Sequence, residues 1–178
     1  MLASPVSGSA GSEVQMRLRR AKLADLDAIS AIYNHEVRVG TSTFDTETRD
    51  GERARVWFES HASDAYPVIV AEEDGDVIGW ASLSAWSDRG AYARTVEGSV
   101  FVREGDRGRG VGRALHDGLV ERARSAGHGV FIARVEHGNE ASRKLLLSRG
   151  FYSVGIMRRV GRKFERLLDV EIFELELD

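Results

Sequence analysis

Residues 95–115 read TVEGSVFVREGDRGRGVGRAL. Thr95–Val102 is rich in β-branched and aromatic side chains and reads as a strand carrying one carboxylate, Glu97. A basic glycine turn follows, Arg107-Gly108-Arg109-Gly110-Val111-Gly112, and it runs directly into an amphipathic helix. Val111, Leu115, Leu119 and Ala123 recur every fourth residue, so the helix extends from about Gly110 to Ala126 with one apolar stripe. Gly127 and Gly129 stop it. A glycine turn at a helix N-terminus gathers free backbone N–H groups at the positive end of the helix dipole, which makes a place for phosphate. Arg107, Arg109 and Arg113 strengthen that anion cradle, and Glu97 stands upstream as a candidate base. A solvated loop with helix-starting glycines is the plain alternative in a chain that holds 19 glycines.

Two familiar phosphate loops do not fit. An NTPase loop ends in Gly-Lys-Ser/Thr, whereas Gly112 is followed by Arg113-Ala114. A dinucleotide fingerprint wants a third glycine where Arg113 stands and an acidic residue about twenty positions on, where Val130-Phe131-Ile132 lies.

Working outward, Met16–Arg20 alternates as a short strand, and Leu26, Ile29, Tyr33 and Val37 mark a helix over Leu23–Val37. A second helix is expected over Glu52–His61. Val68–Glu72 and Val77–Ser84 flank Glu73-Asp74-Gly75-Asp76 and read as a hairpin. Beyond the cradle come a strand at Val130–Val135, a short helix at Ala141–Ser148, and closing strands at Phe151–Val160 and Leu168–Leu177. The strand–helix–strand connection through residues 95–135 favours a parallel pair. The order is β, two helices, three strands, then α-β-α-β-β: an α/β (α+β) mixed sheet with helices on both faces.

With 178 residues and 42% hydrophobic content the chain is expected to be one domain over residues 16–178, after a flexible Ser/Gly/Ala-biased leader at 1–15. The leader lacks the basic start and apolar middle of a signal peptide. A net charge of -3 gives no support for a nucleic-acid or membrane-surface binder. Cysteine is absent, so disulfides and thiol catalysis are excluded and a reducing compartment fits. The five histidines, His35, His61, His116, His128 and His137, show no metal-ligand spacing, and no metal is expected.

Arg107-x-x-Gly110-x-Gly112 between a strand and a helix resembles the acetyl-CoA pyrophosphate motif of the GNAT superfamily of N-acetyltransferases. The likeness widens to the phosphinothricin/methionine sulfoximine N-acetyltransferase subgroup. Ile32-Tyr33-Asn34, Thr41–Phe44, Arg89-x-Ala91-Tyr92, residues 95–102, Asn139-x-x-Ser142, Gly150-Phe151, Val160-Gly161-x-Lys163 and Asp169-Val170 stand in that subgroup's order. The resemblance spans about Met16 to Leu177. It implies a GNAT fold: a mostly antiparallel sheet of about seven strands, splayed between the fourth and fifth.

Acetyl-CoA is then the implied cosubstrate. Backbone groups around Val100, Phe101 and Val102 would hold its pantetheine arm. The turn Arg107, Gly108, Arg109, Gly110, Val111, Gly112, Arg113 and Ala114 would hold its pyrophosphate. Asn139, with Ser142, is implied to contact the arm, and Asn139 also suits a helix cap. Glu97 stands at the family's general-base position. An amine acceptor titrating near ~8 to ~10 must lose a proton before it attacks, and a carboxylate can take it. A solvent-facing or salt-bridged Glu97 is the alternative. The family's proton donor to the leaving thiolate would fall at Leu146, which cannot donate.

Arg89 and Tyr92 resemble residues that hold the acceptor's acidic head, and Phe44 and Trp86 would wall the pocket. The expected activity is acetyl transfer to the amine of a small amino-acid-like acceptor, in a cytoplasmic homodimer. Leu167 and Glu174 depart from the subgroup, which keeps open another amine (a polyamine, an aminoglycoside or a protein terminus). A non-catalytic acyl-CoA-binding module is the remaining alternative.

Overall fold

Ile29, Ile32, Tyr33 and Val37 fall on one stripe of helix α1 (Leu26–Val39), and all four are buried. They pack on Val68, Val70, Val77 and Trp80 of the sheet. Helix α3 (Val111–Ser125) buries Leu115, Leu119 and Ala123 against the other face, onto Ile69, Ala71, Leu83, Val96 and Phe131. Covered on both sides, the central strands need apolar residues facing both ways, which explains the unbroken run Val68–Ala71.

The computed structural model describes residues 16–178; the leader expected at 1–15 lies outside the described residues. The strands are β1 (Arg17–Arg20), β2 (Val68–Glu73), β3 (Asp76–Ala85), β4 (Thr95–Val102), β5 (Val130–Glu136), β6 (Tyr152–Lys163) and β7 (Arg166–Glu176). Helices α2 (Gly51–Glu59) and α4 (Glu140–Ser148) complete the elements used below. One seven-stranded sheet runs β1-β2-β3-β4-β5-β7-β6, antiparallel except for β4 and β5. This is the mixed, mostly antiparallel α/β architecture expected.

Among the boundaries that differ from the sequence reading, two have a clear local cause. The first helix begins with a 3-10 turn at Leu23–Asp25, where Asp25 receives the Lys22 N–H and binds Arg19. Strand β6 runs on to Lys163, because β6 and β7 turn through Phe164 and Glu165, both at positive φ. That is the geometry of a two-residue hairpin loop, built here without the Gly or Asn that normally announces it.

The parallel junction positions the site. β4 and β5 pair at only three rungs: Thr95 with Val130, Val96 with Phe131, and Glu97 with Ile132. Beyond them β4 stays with β3 up to Val102, and β5 stays with β7 up to Glu136. The strands part, so residues 98–102 and 133–136 each turn an unpaired backbone edge into the gap.

Candidate active site

A cleft of about 780 Å³ occupies the gap. Its lining includes Glu97 through Val102 from β4, Ala133 through Glu136 from β5, and Arg107, Gly108, Gly110, Gly112 and Arg113 from the turn. Asn139, Ser142, Leu145 and Leu146 of the α4 segment form another wall, and Gly40, Thr41 and Ser42 close it from the loop after α1.

At the cradle end, Gly108 and Gly110 take positive φ of 76° and 87°. A side chain there would be strained, and open space lies outside both. The first helical hydrogen bond runs from Ala114 N–H to Gly110 O. The N–H groups of Gly108 through Arg113 have no hydrogen-bond partner among the described residues. Six free donors at the positive end of a 15-residue helix fit a pyrophosphate in number and sign. Ala114, included in the sequence reading, already spends its N–H within the helix.

Acid–base pairs brace the turn. Arg107 donates to the Val102 carbonyl at 3.3 Å and to the buried Glu36 of α1. Arg109 is held by Glu73 at 2.9 Å and Asp106 at 2.6 Å, and it does not line the cleft. Hydrogen bonds from Arg103, then Arg109, keep the Asp106 carboxyl below the ordinary carboxylate range. Val111 is buried and contributes backbone only, whereas the Arg113 side chain is exposed.

Glu97 sits at the last rung of the junction. Val96 points into the α3 core, so Glu97 points to the opposite face. Its carboxylate is mostly covered and accepts two hydrogen bonds from Arg134, Nε at 2.5 Å and Nη2 at 2.8 Å. Glu97 is thus ion-paired, and it also lines the cleft.

Asn139 caps α4 by accepting the Ser142 N–H at 3.1 Å, which leaves its amide NH₂ as the remaining donor. Leu146 is buried on the cleft wall. Tyr152, close to it in sequence, instead donates to Glu174 on β7. Val100, Phe101 and Val102 line the cleft as expected of an arm-binding edge.

Arg89, Tyr92 and Phe44, expected on the acceptor side, are not among the residues lining this cleft. Arg89 and Tyr92 belong to the β3–β4 connection, with Tyr92 exposed, and neither lines the cleft. Phe44 also lies outside the lining, its ring packed against Gly161 of β6. Lys163 fastens that loop by donating to the Glu36 and Thr43 carbonyls at 3.2 and 2.9 Å. Burial pushes its ammonium down from the ordinary lysine value.

Three lining residues carried no weight in the sequence reading. Arg134 is a charge inside the otherwise apolar run Val130–Val135, a signal visible in the sequence. Glu36 is a buried acid near the end of an amphipathic helix. His116 is 3% exposed, with both ring nitrogens unpaired, and packs on Phe131 and Phe151. Burial pushes the His116 imidazole down to about 4, so it is neutral at pH 7. Among the described residues no group of three His, Cys, Asp or Glu side chains could hold a metal ion, and no helix is long and apolar enough to cross a membrane.

Comparison with known proteins agrees with this fold. An L-amino acid N-acyltransferase of Escherichia coli is 40% identical over 163 residues, covering 92% of this chain and 95% of that protein. An L-methionine sulfoximine/L-methionine sulfone acetyltransferase of Pseudomonas aeruginosa is 41% identical over 162 residues, covering 90% and 94%. The crystal structure of a phosphinothricin acetyltransferase from Sinorhizobium meliloti in complex with acetyl-CoA superposes with a TM-score of 0.88 at 34% identity, covering 91% and 88%. The model of the acetyltransferase (GNAT) family matches residues 29–151, and the chain belongs to that family.

Proposed function

We propose that the protein transfers the acetyl group of acetyl-CoA to the amine of a small amino-acid-like acceptor by direct attack, with Glu97 as the base. The observation that carries this is the placement of Glu97 on the last rung before β4 and β5 part, in the lining of the same cleft as the free-amide cradle. The acceptor class is taken from the relatives, which are named for L-amino acids, methionine sulfoximine and phosphinothricin.

The N–H groups of residues 108–113 would hold the pyrophosphate. The β4 edge around Val100 to Val102 and the Asn139 amide would hold the arm. Bound acetyl-CoA supplies an acetyl group activated as a thioester. Glu97, directly or through a water, accepts one proton from the ammonium, which frees the nitrogen lone pair to form the C–N bond; as the C–S bond breaks, the nitrogen gives its second surplus proton to solvent. Unpaired β4 N–H groups offer donors for the carbonyl oxygen as it gains charge. Leu146 gives the departing thiolate no proton. A thiol titrating near ~8.5 leaves adequately as the anion and takes its proton from water.

Absence of cysteine accords with a cytoplasmic location. For a homodimer, the edge strand β6 offers exposed Val154, Met157 and Val160, with Phe164 and Leu167 at its hairpin tip. Light scattering of the wild type beside Val160→Lys tests that pairing, since a monomeric wild type removes it. The function itself is tested by following CoA release with methionine sulfone, phosphinothricin, spermidine, an aminoglycoside and a peptide amine. Turnover confined to the two amino acids supports the reading. Preference for amines without an acidic head replaces the acceptor class, and tight acetyl-CoA binding without turnover on any amine reduces the chain to a binding module.

A further inference from the structure

We propose that Arg134 is the docking residue for the acceptor's α-carboxylate, and that this carboxylate displaces Glu97 from the guanidinium fork and so releases the base. The inference rests on the reading of Glu97 as the base in an acetyltransferase cleft.

Register brings the two residues together. Ile132 is the rung partner of Glu97, and Arg134 lies two residues beyond it on the same face of β5. Arg134 therefore reaches back across the opening gap and grips Glu97 with Nε and Nη2, while its Nη1 has no partner among the described residues. The Arg134 side chain is 52% exposed against 18% for Glu97, so it is open to an incoming acceptor in the cleft it lines. Beneath it lies the Trp86 ring, 5.8 Å from Cζ, a surface that suits a cation. The other guanidiniums that line the cleft, Arg107 and Arg113, belong to the cradle, and Arg107 is engaged by Glu36.

An α-amino acid carries an ammonium and a carboxylate on one carbon. Glu97 and Arg134 present the complementary pair of charges side by side. A carboxylate on the Arg134 fork keeps its bidentate geometry and puts the ammonium beside the Glu97 oxygens. A half-exposed ion pair is held weakly, so exchanging one carboxylate for another is nearly balanced. Acceptor binding and unmasking of the base become one event. A simple amine lacks the group that opens the pair.

The test compares the wild type with Arg134→Ala and Arg134→Lys, using methionine sulfone and methionine sulfone carboxamide as acceptors. Each acceptor is compared with itself across the variants, which removes the difference in basicity between the two amines. Acetyl-CoA affinity by calorimetry reports the integrity of the cleft. The expected result is a KM for methionine sulfone raised ~10- to 100-fold in Arg134→Ala, with Arg134→Lys between, and a KM for the carboxamide changed less than about twofold. Unchanged KM for both acceptors, or an equal rise for both, overturns the inference and leaves the acetyltransferase reading standing. If Arg134→Ala no longer binds acetyl-CoA, Arg134→Lys and the wild-type preference for acid over carboxamide decide. Equal kcat/KM for acid and carboxamide in the wild type also overturns it. Failure of the wild type to turn over either acceptor sinks the function reading itself.

Discussion

Glu97 and Ile132 face each other across the last rung that joins β4 to β5, and everything past that rung is cleft. The candidate base thus stands on rigid sheet, while the space it serves is made by the failure of two strands to continue pairing. Removing its charge should disturb chemistry far more than folding.

Glu97→Gln is therefore expected to keep acetyl-CoA affinity and lose transfer, with kcat down by ~100- to 10,000-fold. The Glu97–Arg134 pair is partly exposed, so its loss should cost no more than about 1 kcal/mol of stability. Calorimetry, a thiol-release assay and thermal unfolding on one preparation check all three. A variant that transfers at the wild-type rate removes Glu97 from the mechanism.

Two glycines of the cradle should separate stability from binding. Gly110 sits at φ 87°, so Gly110→Ala is expected to destabilise by about 1 kcal/mol. At Gly112 the backbone is ordinary, and a new Cβ would meet only Val102 Cγ2 at 3.6 Å. Gly112→Ala should fold with undiminished stability, yet its methyl crowds the free amides, and acetyl-CoA should bind about tenfold more weakly. Denaturant unfolding and coenzyme titration of both variants distinguish the effects. Equal affinity in Gly112→Ala and the wild type would place the phosphates elsewhere.

Much of this site was legible because its grammar is local. The alternation of Thr95–Val102, the glycines after it and the fourfold stripe of Val111, Leu115, Leu119 and Ala123 each announce one element. The parting of β4 from β5 was implied by resemblance alone, since pairing between residues some 35 positions apart leaves no mark in either stretch. The Phe164-Glu165 turn was hidden because its residues are poor at positive φ, and β6 seemed to stop early. Arg134 looked like one charge in a strand until register set it beside Glu97. Phe44, Arg89 and Tyr92 were placed by sequence order, which does not say where a loop lies relative to the cleft.

His116 should set part of the acid sensitivity of the fold. The buried ring takes its proton near pH 4 in the folded chain and near 6.5 when unfolded. Between those values the unfolded chain binds more protons, so this stability is present above 6.5 and is lost as pH falls toward 4. From pH 7 to pH 5 the loss is about 2 kcal/mol. His116→Leu should be at least as stable as wild type at pH 7, because the unpaired ring nitrogens are gone, and should gain on it at pH 5 by about that amount. Urea unfolding at the two pH values measures this, and a gap that stays constant with pH refutes it. The lowered His61 imidazole contributes with the same sign in both proteins and cancels.

The floor of the cleft depends on a missing side chain. Gly98 follows Glu97 on β4, and a Cβ there would come within 2.1 Å of the Phe131 ring. Phe131 is 1% exposed and touches His116 and Phe151, so it has no room to withdraw. Gly98→Ala should therefore overpack the start of the gap and cost about 1 to 3 kcal/mol. Trimming the ring should relieve it: Phe131→Leu alone leaves a void, but the double variant Gly98→Ala/Phe131→Leu should be more stable than the sum of the single losses predicts. A double-mutant cycle by chemical denaturation gives that coupling, expected at about 1 kcal/mol or more in the compensating direction. Strict additivity would mean that the Phe131 ring does not press on a side chain at position 98.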